Sequence, residues 1–251
     1  MRPIITLLTD FGTADGYVAE LKGVLLSVAP DASIVDLSHD IPPQDVECAR
    51  LAVARYWRRF PAGTVHVVVV DPGVGSARAP LAVQSDERFL VGPDNGVLSP
   101  SMVAAGSRVV ALPVPFAASA TFHGRDVFAP AAASLALGTP IDSLGSAFQD
   151  PVIRRTPEAR RGRDGEILGE VIAVDRFGNA ITNLIAPRGG RIEVAGRVIP
   201  IVRTYADATT GDVVGVVGSS GFVEVAQRDG SAARALELTR GTPVTLRTPR
   251  A

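Results

Sequence analysis

The stretch Val67-Val68-Val69-Val70-Asp71-Pro72-Gly73-Val74-Gly75 decides how the first half of this chain is read. Four consecutive valines predict a strand buried on both faces, the pattern of a parallel strand covered by helices. The run stops at an aspartate and a Pro-Gly turn, and open α/β sheets build ligand sites where their strands end. The same layout recurs where Ile4-Ile5-Thr6-Leu7-Leu8-Thr9 runs into Asp10-Phe11-Gly12, and where Ile34-Val35 runs into Asp36-Leu37-Ser38-His39-Asp40. These repeated endings point to one crowded sheet edge as the seat of the chemistry.

Around the valine run the chain alternates in the α/β manner. A strand is expected at 3–9 and another at 33–37, with a helix between them at 14–29 on the spacing of Val18, Leu21, Val24, Leu25 and Val28. A second helix over about 44–59 places Val46, Ala49, Val53 and Tyr56 on one face. A hairpin is expected across 80–92, and a further alanine-rich helix over 126–137. The segment 149–164, with Asp150-Pro151, Arg154-Arg155, Pro157 and Arg160-Arg161-Gly162-Arg163, has no apolar periodicity and reads as a linker. Beyond it, short apolar runs separated by glycine turns fit a small antiparallel barrel or sandwich. The expected organisation is an α/β N-terminal domain over 1–148, a Rossmann-like layered sheet with helices, joined by that linker to an all-β, barrel-like C-terminal domain over 165–251.

Composition narrows the function classes. An apolar fraction of 46% with 20% charged residues is that of a globular protein with ample core. A net charge of −1 favours neither nucleic acid nor an anionic membrane as a partner. No run approaches the roughly 20 apolar residues of a membrane helix. The chain opens on an expected strand rather than a basic segment and an apolar run, so no secretion signal is expected and the cytoplasm is the expected location. Cys48 is the only cysteine, which excludes an internal disulfide or a cysteine-built metal site; it reads as core.

Few side chains are left to carry catalysis. Of the three histidines, His66 precedes the valine run and reads as structural, and His39 fits either a ligand or a turn cap. His123, in Thr121-Phe122-His123-Gly124-Arg125-Asp126, stands before an expected helix, where free N–H groups suit an anion or a polarised water. Local capping is its alternative. Neither a Gly-x-Ser-x-Gly elbow nor a phosphate-binding loop is present, and Gly73-Val74-Gly75 is too short for a dinucleotide fingerprint. Aspartates and histidines near strand ends leave a divalent-metal phosphoesterase open, although no HxD or ExxH spacing supports it. In the second half, Asp175-Arg176-Phe177-Gly178-Asn179 reads as a turn that could also face a planar heterocycle, and Gly218-Ser219-Ser220-Gly221-Phe222 as a turn whose hydroxyls could hold a carboxylate.

Thr9-Asp10-Phe11-Gly12, Asp71-Pro72-Gly73-Val74-Gly75, Gly92-Pro93-Asp94-Asn95-Gly96, Thr121-Phe122-His123-Gly124-Arg125-Asp126 and Asp175-Arg176-Phe177-Gly178-Asn179 together resemble the S-adenosyl-L-methionine (SAM) hydroxide adenosyltransferases. These are hydrolytic relatives of the SAM-dependent fluorinase and chlorinase, and the resemblance runs from about residue 3 to residue 247. It implies hydrolysis of SAM to adenosine and L-methionine by attack of water or hydroxide on ribose C5′, with no metal and no cofactor. It also implies a homotrimer with the site at the subunit interface. Asp71, Arg78 and His123 match the family's catalytic triad. Asp10 would hold the ribose hydroxyls, and Thr121 and Phe122 would line the nucleoside pocket. Asp175 would take the methionine ammonium, Phe177 and Asn179 the substrate or adenine, Tyr205 the adenine face, and Ser219 the methionine carboxylate.

Where the halogenases carry tyrosine, serine and tryptophan, this chain has Asp71, Gly124 and Gln44. A carboxylate repels halide, so water is the expected nucleophile. The rival readings are a halogenase of the same fold, a metal-dependent phosphoesterase, and a non-catalytic SAM or adenosine binder.

Overall fold

The valine run forms β3 (Val65–Val69), all five residues of which are buried. Because side chains alternate across a strand, Val67 and Val69 enter one core while Val68 and Val70 enter the other. One strand thereby serves both faces of its sheet. In the computed structural model, which describes residues 2–185 and 189–247, contacts divide the chain into two units, Met1–Arg155 and Thr156–Ala251. The outer ends of the two expected domains, Met1 and 248–251, lie outside the described residues.

Unit one carries a seven-stranded sheet in the order β2 (Ser33–Ser38), β1 (Ile4–Thr9), β3, β5 (Arg88–Pro93), β4 (Pro80–Ser85), β6 (Arg108–Ala111) and β7 (Ser146–Ala147). The first four strands are parallel, and each later pairing is antiparallel. α1 (Tyr17–Val28) and α4 (Ala129–Ala136) cover one face, packing Leu21, Leu25, Ala132 and Ala133 against Ile5, Leu7 and Val67. α2 (Val46–Tyr56) and α3 (Ser99–Met102) lie on the other, where Ala49, Val53 and Trp57 meet Leu8, Val68 and Leu81, with Cys48 packed at the margin. The outcome is a three-layered mixed α/β unit.

Three helices begin later than their periodicity predicts, α1 at Tyr17 in place of 14. Asp45 caps α2, its carboxylate accepting from Cys48 N at 2.9 Å, and this leaves Gln44 outside the helix with φ 66°. The helix expected from 126 starts at Ala129, after a wider π turn over Gly124–Phe128. Pro130 has no N–H to give the carbonyl four residues back and would crowd it, so the chain enters α4 through that looser turn.

Unit two is a closed barrel. Its order runs β9 (Ile167–Val174), β10 (Ala180–Thr182), β14 (Val223–Gln227), β13 (Val213–Val217), β12 (Arg197–Val202), β11 (Arg191–Val194) and β15 (Pro243–Arg247), which pairs back to β9. Closure removes the exposed edges that seven short strands would otherwise present. Val171, Ile192, Val225 and Leu246 fill the interior, with Ala232 of α5 (Ala232–Ala235) packed among them. Within the segment expected as linker, β8 (Arg160–Arg161) pairs with β9.

A polar link is buried beside the valine strand. His66 Nε2 lies 3.1 Å from the Trp57 carbonyl and Nδ1 2.7 Å from Thr6 Oγ1. Since a carbonyl only accepts, Nε2 carries the proton and Nδ1 accepts from Thr6. Burial pushes this imidazole down to about 4, a shift the Trp57 carbonyl opposes and the Arg88 charge assists. Below its ordinary value of 6.5 the unfolded chain gains a proton at His66 that the folded chain refuses until about pH 4. Stability should therefore fall by about 3 kcal/mol as pH drops through that window and level off below it. Urea unfolding of wild type and His66→Gln between pH 4 and 7 checks this, with the extra slope present only in wild type.

Candidate active site

β1 and β3 are parallel neighbours, with Thr9 opposite Val69, so Asp10 and Asp71 emerge side by side at one sheet edge. A cavity of about 250 Å³ opens there, lined by Asp10, Phe11, Gln44, Asp71, Thr121, Phe122, His123 and their neighbours. Asp36 does not join them. It sits within β2, opposite Leu7, where Lys22 Nζ meets its carboxylate at 2.6 Å. Burial opposes its charge, but the close Lys22 and His39 prevail and hold the carboxyl below its ordinary value.

The Asp71 carboxylate is closed bidentately by Arg78: Nε donates to Oδ1 at 3.0 Å and Nη2 to Oδ2. The side chains are only 4% and 9% exposed, so the charges are taken out of water together. Arg78 Nη2 also reaches His123 Nδ1 at 3.1 Å. A guanidinium only donates, so Nδ1 accepts and the proton of the neutral ring sits on Nε2. Burial first, then the Arg78 charge, push the His123 imidazole below its ordinary value, against Asp71 and Asp126. His123 thus enters the pocket neutral, as a donor through Nε2. Arg78 Nη1 is buried and has no hydrogen-bond partner among the described residues.

Loop contacts place this triad. Gly75 has φ 76°, and a β-carbon there would collide with the Ala120 carbonyl, so only glycine lets the Asp71–Arg78 loop approach the loop carrying Thr121 and His123. Asn95 secures the end of the valine strand, donating from Nδ2 to the Val70 carbonyl at 2.9 Å. His123 immediately precedes the π turn, which Asp126 ties back through Ser119 N at 2.8 Å.

One wall of the cavity is aromatic. Phe11, Tyr17 and Phe122 meet edge to face with centroids 5.4–6.2 Å apart. Gly124 faces them closely: a β-carbon would lie 3.2 Å from Phe122 Cε2 and 3.4 Å from Phe11 Cζ. A serine there would need the Phe122 ring to give by a few tenths of an ångström. Asp10 Oδ2 accepts from Gln44 N at 2.8 Å, and Thr121 is an exposed residue of the same rim.

The remaining expected residues gather on unit two. Asp175 closes the β9–β10 turn: Oδ1 accepts from the Phe177 and Asn179 amides, each at 2.9 Å, and Oδ2 from Asn179 Nδ2 at 2.9 Å. That leaves Phe177 78% exposed, its ring turned outward on a rigid turn. Ser219 lies in the β13–β14 turn, closed by Gly218 N to the Phe222 carbonyl at 2.9 Å. Tyr205 donates from its hydroxyl to Glu224 Oε2 at 3.1 Å, and burial, then the charges of Glu224 and Asp175, push its phenol up. Gln44 stands at the position set against the halogenase tryptophan and Asn95 within one of the five motifs, though neither carries an expected role. Glu224 was not among the expected site residues, and its trace in the sequence is a carboxylate set in the apolar run Val223-Glu224-Val225-Ala226. Among the described residues, no group of three or more His, Cys, Asp or Glu side chains is placed to hold a metal ion. No helix among them is long and apolar enough to cross a membrane.

The family model of the SAM hydroxide adenosyltransferase N-terminal domain matches residues 5–145, and that of the C-terminal domain matches 169–245. An (R)-S-adenosyl-L-methionine hydrolase of Thermus thermophilus is 45% identical, over 98% of this chain and 100% of its own length. One of Salinispora arenicola is 42% identical, over 95% of each chain. A fluorinase of Actinopolyspora mzabensis is 29% identical, over 97% and 96%. A crystal structure of a conserved protein from Thermotoga maritima superposes with a TM-score of 0.88 at 30% identity, covering 97% of this chain and all of that one.

Because the Arg78 charge helps to depress His123, Arg78→Gln should move the His123 titration upward from its wild-type position below 6.5. The imidazole ring resonances followed by NMR against pH report this directly, and an unchanged midpoint would remove Arg78 as a cause.

Proposed function

Since the chain belongs to the SAM hydroxide adenosyltransferase family, we propose that Asp71, Arg78 and His123 direct a water molecule at ribose C5′ of bound SAM. The protein is a SAM hydrolase that yields adenosine and L-methionine. Its preferred substrate, on the names of its relatives, is the (R) sulfonium epimer. The observation that carries the mechanism is the hydrogen-bonded array of Asp71, Arg78 and His123 beside a pocket that Asp10 also lines.

The chemistry asks for little more. The water oxygen bonds to C5′ as the C5′–S bond breaks, and the bonding pair returns to sulfur as the thioether of methionine. A sulfonium leaves as a neutral group, so no acid is needed to expel it. What the pocket supplies is a held, partly desolvated nucleophile in line with the breaking bond. Arg78 stabilises the hydroxide character that develops on the oxygen, and His123 Nε2–H orients that oxygen. Asp71 keeps free lone pairs beside those engaged by Arg78, and it accepts the proton that water sheds. Asp71 at the pocket wall repels halide, and Gly124 offers no hydroxyl to hold one.

Asp10 holds the ribose hydroxyls, Thr121 and Phe122 line the nucleoside and nucleophile space, and Asp175, Phe177, Asn179, Tyr205 and Ser219 hold the methionine and adenine ends. The family resemblance supports a cytoplasmic homotrimer in which these unit-two residues complete the site of a neighbouring copy. Two inactive variants, Asp71→Asn and Asp175→Ala, should then recover activity when refolded together that neither has alone; no recovery, with mixed trimers present, counts against the shared site.

The reaction is tested by incubating the protein with each SAM epimer in ¹⁸O-water with a chelator present. The expected products are methionine and an equal amount of adenosine carrying ¹⁸O at the 5′ oxygen, with faster turnover of the (R) epimer. Asp71→Ala and His123→Ala should lower kcat by about a hundredfold or more with a smaller change in SAM binding. Equal losses in both would make these residues binding groups. Loss of turnover on chelation would favour a metal enzyme.

A further inference from the structure

His39, like His66, is a buried histidine that the reaction leaves unused. Its Nδ1 lies 2.8 Å from Thr9 Oγ1, at the end of β1. Thr9 Oγ1 already accepts from the Phe11 amide at 3.3 Å, so the hydroxyl proton is what it offers to Nδ1. The ring proton then sits on Nε2, 3.1 Å from Asp36 Oδ1 but off the line of a straight hydrogen bond. Asp36 Oδ2 takes Lys22 Nζ at 2.6 Å, the one lysine of the chain. The backbone closes the same loop, with Gly12 N donating to the His39 carbonyl at 2.8 Å.

These contacts bracket Asp10. Thr9 before it and Gly12 after it are bonded to His39, and the Phe11 amide is bonded to Thr9. From the opposite side Gln44, in a left-handed conformation that glutamine seldom adopts, gives its amide to Asp10 Oδ2. Asp10 Oδ1 has no hydrogen-bond partner among the described residues. The carboxylate is thus held with one oxygen engaged and one presented.

We infer that His39 is a positioning residue for substrate recognition, holding the Thr9–Gly12 turn so that Asp10 grips the vicinal ribose hydroxyls of the nucleoside. This rests on the proposed placement of the nucleoside against Asp10. His39 touches neither substrate nor nucleophile; it acts through Thr9 and the turn. A grip on hydroxyls remote from C5′ is made equally in ground and transition states, so its loss appears in KM rather than kcat.

The test compares SAM with its 2′-deoxy analogue in wild type, His39→Ala, His39→Gln and Thr9→Val. On SAM, His39→Ala should raise KM about tenfold with kcat within about twofold, since one oriented hydrogen-bonded grip is weakened. On the 2′-deoxy substrate, where one of the two gripped hydroxyls is missing, the same substitution should raise KM by a smaller factor than on SAM. His39→Gln, which keeps a polar partner for Thr9, should restore part of the loss. Thr9→Val breaks the same link without emptying the His39 site, and carries the test if His39→Ala does not fold. Equal penalties on both substrates, or a loss confined to kcat, would falsify the assignment. Calorimetric binding of both compounds separates the two readings: hydroxyl-dependent penalties without turnover leave His39 standing and remove the hydrolase mechanism.

Discussion

The buried ion pair between Arg78 and Asp71 is the constraint from which the site follows. Removing two charges from water costs several kcal/mol each, and only close, well-directed contact offsets that cost. Here the guanidinium closes on both carboxylate oxygens and uses one of its nitrogens a second time, toward His123. One cation therefore fixes the orientation of the Asp71 carboxylate and the tautomer of His123. Without it the pocket would hold an unpaired buried carboxylate and an imidazole free to rotate.

The rest of unit one keeps that geometry within tight tolerance. Gly75 lets two loops touch where any β-carbon would collide, Asn95 pins the last peptide of the valine strand, and the π turn after His123 replaces a regular helix start. These are local departures from ideal structure, and they cluster around the chemistry. Backbone strain persists where surrounding contacts over-determine it. Gln44 at φ 66° is the clearest case, because its amide has a carboxylate to satisfy.

Unit two treats its polar residues differently. Asp175 spends both oxygens on its own turn, and Tyr205 leans on a buried Glu224. The effect is to freeze surfaces: an outward Phe177 ring and a phenol of fixed orientation. Rigid aromatic faces beside negative charge suit recognition of a planar base and an ammonium, a binding task, whereas the array of Arg78 in unit one suits work on a developing hydroxide.

The alternation of elements, the two-sided valine strand and the closely spaced barrel strands were legible because each rests on periodicity that neighbouring residues express. Short motifs marked Asp10, Asp71 and His123 as candidates for the same reason: they stand where predicted elements end. What could not be read was which ends meet. Asp36 follows the same strand-end pattern yet lies inside β2, held by Lys22, because a bulge in the β1–β2 register and not the local sequence decides where that strand stops. The left-handed Gln44 and the burial of Glu224 are likewise outcomes of packing between segments far apart in the chain. Residue order dictated the elements and the kinds of side chain available. Only the folded contacts chose the tautomer of His123 and the oxygen that Asp10 leaves open, since each is set by a group tens of residues away.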